Sequence, residues 1–362
     1  MAWTEPTDQY KDFKLNREFW LKIFLPSLAG ILILVAAIIL FRYIQDTGTK
    51  ITFKELDYGY KVKYLKIDDK TGEIAYIDVG RGIDTIVLIH GGNNYLKHYS
   101  PQIDYLKAKL RVIAIDLPGY GKSTFNPYVN YTLDFHVKAM AKFIKILSLK
   151  NVILFGHSYG AMAAMSLFYE PDIKIKKMIL MSPAGLDKFT DIDVSIYMNN
   201  FDTFVGDENE FFHPNNFRKR QRELTYETNK LTDKFLDEFS ALIRSGDYRK
   251  IQITRIRALR SFIPLLTNYY KKFIYISIPI LVIGGKQDKV IPFKKIDARN
   301  AFQARETPGF SFTGLESPET FYKNLEMLNG DCKVKLIDNC GHLPNLEYPE
   351  IVNSLITEFL KH

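Results

Sequence analysis

The chain has 362 residues, 46% of them apolar, and a formal net charge of +8. That length allows one large α/β domain or two small ones, with ample material for a core. The basic surplus is modest and no binding module accompanies it, which argues against a nucleic-acid partner.

Residues 1–22 form a polar N-terminal segment with charges of both signs. Residues 23–44 follow, IFLPSLAGILILVAAIILFRYI, with no charged side chain over the nineteen positions from Ile23 to Phe41. That is the length of a bilayer-spanning helix. Pro26 sits in its first turn, where proline is tolerated, and Trp20, Arg42 and Tyr43 flank it as interfacial anchors would. The run is longer than a signal-peptide core and no small-x-small cleavage site follows Leu40, so a permanent single-pass anchor is expected. Lys11, Lys14, Arg17 and Lys22 precede the span, against Arg42, Lys50 and Lys54 after it. This bias places the N-terminus in the cytoplasm and the large domain that follows on the non-cytoplasmic side.

Residues 45–60 read as a polar linker. Lys61–Asp68 and Glu73–Val79, joined by Asp69-Lys70-Thr71-Gly72, read as a β-hairpin. Short buried strands are expected at Thr85–Ile89, Arg111–Ile115, Val152–Phe155, Lys177–Ser182, Ile278–Ile283 and Lys333–Ile337. Helices are expected between them, among them Thr132–Ser148 with Leu133, Val137, Met140, Ile144 and Leu147 along one stripe, and a closing helix at Tyr348–Leu360. Strands alternating with helices give a mostly parallel sheet covered on both faces, with active groups at the C-terminal ends of the strands. From 187 to 272 the strand pattern stops and helical character takes over. Residues 187–210 are mostly acidic, whereas 211–272 carry fourteen Lys and Arg against six Asp and Glu. Ile256, Leu259, Ile263 and Leu266 recur at helical spacing and read as a packing face rather than an acyl site. The loop near 305–321 looks like an insertion. Cys332 and Cys340 are read on one strand, roughly 25 Å apart and beyond disulfide reach. Two free thiols are expected, without metal-ligand spacing to histidine.

The chemistry centres on Asn151–Ala164, NVILFGHSYGAMAA. An apolar strand meets Gly156-His157-Ser158-Tyr159-Gly160 and then a run of small residues that reads as a closely packed helix. A strand that turns into a helix within so few residues pushes the Ser158 hydroxyl out of the sheet. A serine hydroxyl needs a base, the base needs an orienting acid, and the oxyanion needs fixed donors. His342, after the last strand, is the base candidate. His90 belongs to the His90-Gly91-Gly92 turn, and His157, next to the serine on the elbow, should point away from it. Asp288, after the Ile278–Ile283 strand, is the acid candidate, with Asp187 as its rival. The oxyanion donors should be the Tyr159 N–H and the N–H of Gly92, or else of Asn93.

These stretches resemble the α/β-hydrolase fold family over about residues 60–362. The likeness lies in the HGG turn at 90–92, DLPGYGKS at 116–123, GHSYG at 156–160, GGKQDKVIP at 284–292 and NCGHLPNLEYPE at 339–350. It implies a Ser158-Asp288-His342 triad and a core of 61–186 with 273–362. Residues 187–272 would be a helical cap that covers the pocket and selects substrate. It also implies that Gly119 and Gly121 shape a turn beside the site and do no chemistry. Relatives that are epoxide hydrolases or haloalkane dehalogenases carry aspartate at the nucleophile position, so Ser158 argues against both activities. Anchor and cap together resemble the family's membrane-anchored esterases and monoacylglycerol lipases. The expected activity is hydrolysis of carboxylic esters, lipid esters included, through an acyl-enzyme and without metal or organic cofactor. The same triad acting on an amide, a thioester or a C–C bond, or a non-catalytic binding protein on this fold, are the alternatives. The oligomeric state is not legible.

Overall fold

The computed structural model describes residues 25–45, 50–186, 189–199, 214–227, 229–291 and 317–361. Two compact units emerge, Met1–Thr49 and Lys50–His362. The first contains one described helix, α1 (Leu25–Gln45), of 21 residues. Its described apolar side chains are exposed, Ile33 by 70% and Leu34 by 61%. Among the described residues no helix is long and apolar enough to cross a membrane. The anchor expected over 23–44 therefore draws no support from the structure.

Among the described residues the second unit is built on an eight-stranded sheet. In chain order its strands are β1 (Lys63–Asp68), β2 (Gly72–Val79), β3 (Thr85–Ile89), β4 (Arg111–Ile115), β5 (Val152–His157), β6 (Ile175–Met181), β7 (Ile280–Gly285) and β8 (Cys332–Ile337). Their spatial order is β1-β2-β4-β3-β5-β6-β7-β8. β2 runs antiparallel to β1 and β4, and all other neighbours are parallel. The sequence explains the difference. β3, β5 and β7 are buried at every residue, as strands covered on both faces must be. β1 lies at the edge, carries Lys63 and Lys66 and is largely exposed. The predicted hairpin is present, its turn closed by Gly72 at φ 72° and by the Thr71 N–H donating to Asp68 Oδ1 at 2.7 Å.

Helices follow the strands as expected. After a 3₁₀ turn at Leu96–Tyr99 come α2 (Ser100–Leu106), α3 (Leu133–Ile146), α4 (Tyr159–Leu167), α10 (Pro318–Leu328), α11 (Pro344–Glu347) and α12 (Pro349–Lys361). Thr132 caps α3 by accepting the Phe135 N–H, which fixes where the amphipathic stripe begins. Between β6 and β7 the regular elements of the described chain are all helical: α5 (Asp191–Asn199), α6 (Pro214–Glu223), α7 (Asp233–Ser245), α8 (Asp247–Phe262) and α9 (Leu266–Ile274).

Two readings shift, and two others lie wholly or partly outside the described residues. β7 begins at Ile280 and takes Gly284 and Gly285 into the strand instead of leaving them in the following loop. Cys340 is not on the strand of Cys332, because β8 ends at Ile337 and the chain turns at Asn339 with φ 55°. Both thiols are free and buried. The expected insertion near 305–321 lies outside the described residues up to 316, and its last residues open α10. Asp187 also lies outside the described residues.

Candidate active site

Ser158 sits between β5 and α4 with φ 51° and ψ −114°, a backbone conformation that L-residues avoid. Close packing enforces it. A Cβ on Gly160 would lie 2.2 Å from the Ile89 carbonyl oxygen, and one on Gly156 would lie 2.4 Å from the Gly160 oxygen. Only glycines let α4 start directly against β3 and β5. The Ser158 N–H donates to the Met181 oxygen at 2.9 Å, which ties the elbow to β6.

Asp288 and His342 meet across the ends of β7 and β8. His342 Nδ1 lies 2.9 Å from Asp288 Oδ2 and 3.2 Å from Oδ1. A carboxylate only accepts, so Nδ1 carries the proton and Nε2 keeps its lone pair. Asp288 is buried and is held from behind by the N–H groups of Val290 at 2.8 Å and Ile291 at 3.0 Å, both on Oδ1. Ser158 and His342 line one cavity of about 290 Å³. Their side chains share no hydrogen bond among the described contacts. Such bonds often tighten only with substrate in place.

The same cavity is lined by Gly92, Asn93 and Tyr159. Among the described hydrogen bonds the N–H groups of Gly92 and Asn93 have no acceptor, and Tyr159 opens α4, where N–H groups lack intrahelical partners. The three predicted donors are thus together at one wall. A Cβ on Gly92 would find ordinary contacts at 3.6 Å or more, so its neighbours do not require glycine there. The rest of the lining is largely apolar, with Leu224, Ala258, Leu259, Phe262, Val290 and Leu343, joined by Arg255, Lys289, Asn94, Tyr120 and, against the expectation that it would point away from the serine, His157. Leu259, read from sequence as packing only, therefore faces the cavity.

Three other buried histidines, His90, His136 and His157, have their own partners. His90 accepts the Leu117 N–H on Nε2 at 3.0 Å and donates from Nδ1 to the Gly91 oxygen at 2.8 Å. His136 donates from Nε2 to the Pro118 oxygen, so its Nδ1 accepts from the Tyr159 hydroxyl at 2.7 Å. His157 donates from Nε2 to the His342 carbonyl at 2.8 Å. Burial holds all three neutral, His90 and His157 down to about 3 and His136 to about 4. Gly119 and Gly121 lie in the turn after β4, both at positive φ, as the resemblance implied. Asp116 anchors that turn. Fully buried and pushed up to about 6 by desolvation, it accepts from Leu96 N–H, Lys122 N–H and the Tyr58 hydroxyl.

Glu347 is a residue that the sequence pattern does not single out. It ends α11, is buried, and accepts the N–H groups of Gly341 at 2.9 Å, Leu343 at 3.3 Å and Tyr226 at 2.8 Å. Desolvation raises its pKa against those bonds. The His342 N–H itself donates to the Leu224 oxygen at 2.7 Å. The chain just after α6 is thereby bonded to the turn that carries His342. The only sequence signal is a glutamate five residues after His342 within NCGHLPNLEYPE.

The family profile described as the alpha/beta hydrolase fold matches residues 84–349. A 2-hydroxy-6-oxo-6-(2'-aminophenyl)hexa-2,4-dienoic acid hydrolase of Metapseudomonas resinovorans is 26% identical over 293 residues, 80% of this chain and 87% of its own length. Monoacylglycerol lipase ABHD6 of Homo sapiens is 22% identical over 332 residues, 83% of this chain and 82% of its own. Among solved structures, a bromoperoxidase from Bacillus anthracis has a TM-score of 0.62 at 21% identity, covering 83% of this chain and all of its own. A membrane phospholipase A described as a bacterial virulence factor has a TM-score of 0.61 at 20% identity, covering 94% of this chain and 96% of its own. These two likenesses bear on fold alone. The profile match runs from the strand before the HGG turn to the helix after His342, and on that ground the chain belongs to the α/β-hydrolase fold family.

Proposed function

We propose that the protein is a serine hydrolase of carboxylic esters, lipid esters among them. The observation that carries this reading is the buried Asp288–His342 pair, 2.9 Å apart, opening on the same cavity as Ser158. In this reading His342 Nε2 takes the Ser158 proton as Oγ attacks the ester carbonyl carbon. The oxyanion accepts from the N–H groups of Tyr159 and of Gly92, with Asn93 beside them. His342 then protonates the leaving alcohol, and water activated by the same nitrogen cleaves the acyl-enzyme. Asp288 holds the tautomer and stabilises the imidazolium. Leu259, Phe262, Val290 and Leu343 offer an apolar wall for an acyl chain. The name of ABHD6 supports lipid esters as the class to try first.

A second reading, cleavage of a C–C bond in a carboxylate-bearing substrate, is favoured by one observation. Two cationic side chains, Arg255 and Lys289, line the cavity, and a relative acts on a dienoic acid. Labelling by a fluorophosphonate, wild type beside Ser158→Ala, tests the activated serine. Turnover of p-nitrophenyl esters of graded chain length against a dienoate then separates the two bonds. Folded wild type that is never labelled would leave a binding protein as the better account.

Membrane attachment through residues 23–44 is part of the proposal and rests on the uncharged run from Ile23 to Phe41. At about 1.5 Å per residue, 19 helical residues reach about 28 Å, close to a bilayer core. The lysine bias around the run supports a non-cytoplasmic catalytic domain. Extraction of membranes with alkaline carbonate checks the attachment. Release of full-length protein would remove it. Protease protection in sealed vesicles checks the side.

A further inference from the structure

His157 is the last residue of β5 and the chain neighbour of Ser158, and the proposed mechanism gives it no task. Its side chain is almost fully buried. One nitrogen is committed: Nε2 lies 2.8 Å from the carbonyl oxygen of His342, and because a carbonyl only accepts, Nε2 carries the proton. The ring lies 4.9 Å from the His342 ring, centroid to centroid. The other nitrogen meets the HGG turn. A Cβ on residue 91 would fall 2.7 Å from His157 Nδ1, so the turn passes in contact with the ring and any larger residue there must displace it. The residue after that glycine is Gly92, which lines the cavity and whose N–H has no acceptor among the described bonds.

We infer that His157 is a positioning residue that braces both partners of the serine beside it: with Nε2–H it fixes the backbone of His342, and with its opposite edge it seats the turn that presents Gly92. The inference rests on the proposed triad. The geometry explains why a polar ring stands at this position instead of an aliphatic side chain. The His342 carbonyl is in a buried turn and needs a donor. A ring is also rigid, so the distance between the base and the oxyanion wall is set by one object and not by two loops separately. Burial keeps the ring neutral at working pH, so it adds no second positive charge beside the imidazolium that His342 forms during turnover.

The test uses the full chain. Labelling of wild type but not of Ser158→Ala is established first. Its failure would remove the triad itself, an outcome separate from any effect of substituting His157. His157→Leu keeps bulk and deletes the donor, whereas His157→Gln keeps a donor. We expect Leu to lower both the fluorophosphonate labelling rate constant and kcat by about 10–100-fold, since small misplacement of catalytic groups has that cost. KM should stay within about threefold, and Gln should recover the rate to within about fivefold. Equal rates for Leu and Gln, whether both normal or both slow, would reduce His157 to core packing and overturn the inference. A second readout does not depend on turnover. The downfield proton on His342 Nδ1, followed by proton NMR, should be lost in Leu and kept in Gln. Gly91→Ala crowds the ring from the turn and leaves His157 intact, so it serves if His157→Leu does not fold. An unmoved His342 proton in that variant overturns the brace.

Discussion

Replacing Asp288 by asparagine changes one atom and reverses the chemistry of its neighbour. Oδ1 of Asp288 accepts two backbone donors, from Val290 at 2.8 Å and Ile291 at 3.0 Å, while Oδ2 faces His342 Nδ1 at 2.9 Å. An asparagine has a single oxygen. Two fixed backbone donors outweigh one imidazole, so that oxygen takes the place of Oδ1 and the NH₂ group takes the place of Oδ2. The NH₂ can only donate. It drives the His342 proton from Nδ1 to Nε2, the nitrogen that must receive the Ser158 proton. A base in the wrong tautomer costs on the order of 10⁴-fold in kcat, about 5.4 kcal/mol of transition-state stabilisation. The fold should persist, because the variant is isosteric and keeps both backbone bonds. Initial rates on p-nitrophenyl butyrate, fluorophosphonate labelling and thermal melting measure all three expectations. A folded variant within about tenfold of wild type would refute the tautomer argument. The orienting acid would then have to be sought elsewhere, Asp187 first.

Glu347→Gln replaces one accepting oxygen with a donor facing backbone N–H groups of Gly341, Leu343 or Tyr226. It should destabilise by about 2 kcal/mol in urea titration, and an unchanged midpoint would mean that the turn holds without the carboxylate. Gly160→Ala puts a methyl group 2.2 Å from the backbone oxygen of Ile89, which cannot yield without moving β3. A loss of about 3 kcal/mol or more, with labelling of Ser158 abolished, is expected. Acid should destabilise the fold well before the carboxylates titrate. His90, His136 and His157 protonate at about 3, 4 and 3 when folded but near 6.5 when unfolded, so their stabilising contribution is present above 6.5 and is lost as the pH falls. From pH 7.5 to 5.5 the three together lose about 4 kcal/mol. Asp116, raised to about 6 by burial, opposes them, because its folded form takes up a proton first and returns about 1 kcal/mol. His98, likewise buried and held well below the usual histidine range, adds to the loss, so a net of at least about 3 kcal/mol is read from urea midpoints at the two pH values, and a flat profile would contradict the burial argument.

Much of the fold is legible because it depends on local pattern. Thr85–Ile89 and Arg111–Ile115 are strands to the residue, since a short apolar run bounded by turn residues leaves a buried parallel strand little room to shift. Ser158, Asp288 and His342 each stand just past a strand, where chain order alone brings them to one edge of the sheet. Burial and long-range bonding are not legible in this way. Glu347 looks like any glutamate near a helix start, and only the folded chain shows three backbone donors converging on it. Leu259 has the spacing of a packing residue whichever way its helix face turns, and that turn is decided by tertiary contacts. Cys340 reads as a strand residue only while Asp338 and Asn339 are not counted as a stop, although asparagine tolerates the left-handed conformation found there.

The bonds between the chain after α6 and the turn of His342 are made by backbone atoms at Leu224 and Tyr226. Substitution at these two positions leaves that attachment intact, while an insertion or deletion within 224–226 breaks it. A helical region of this kind is therefore free to change its surface so long as the segment 224–226 keeps its register. A chimera that imports the helices of another chain should place its junction before Leu224 and carry 224–226 over from the recipient, because the register of that segment belongs to the turn of His342 and not to the helices before it.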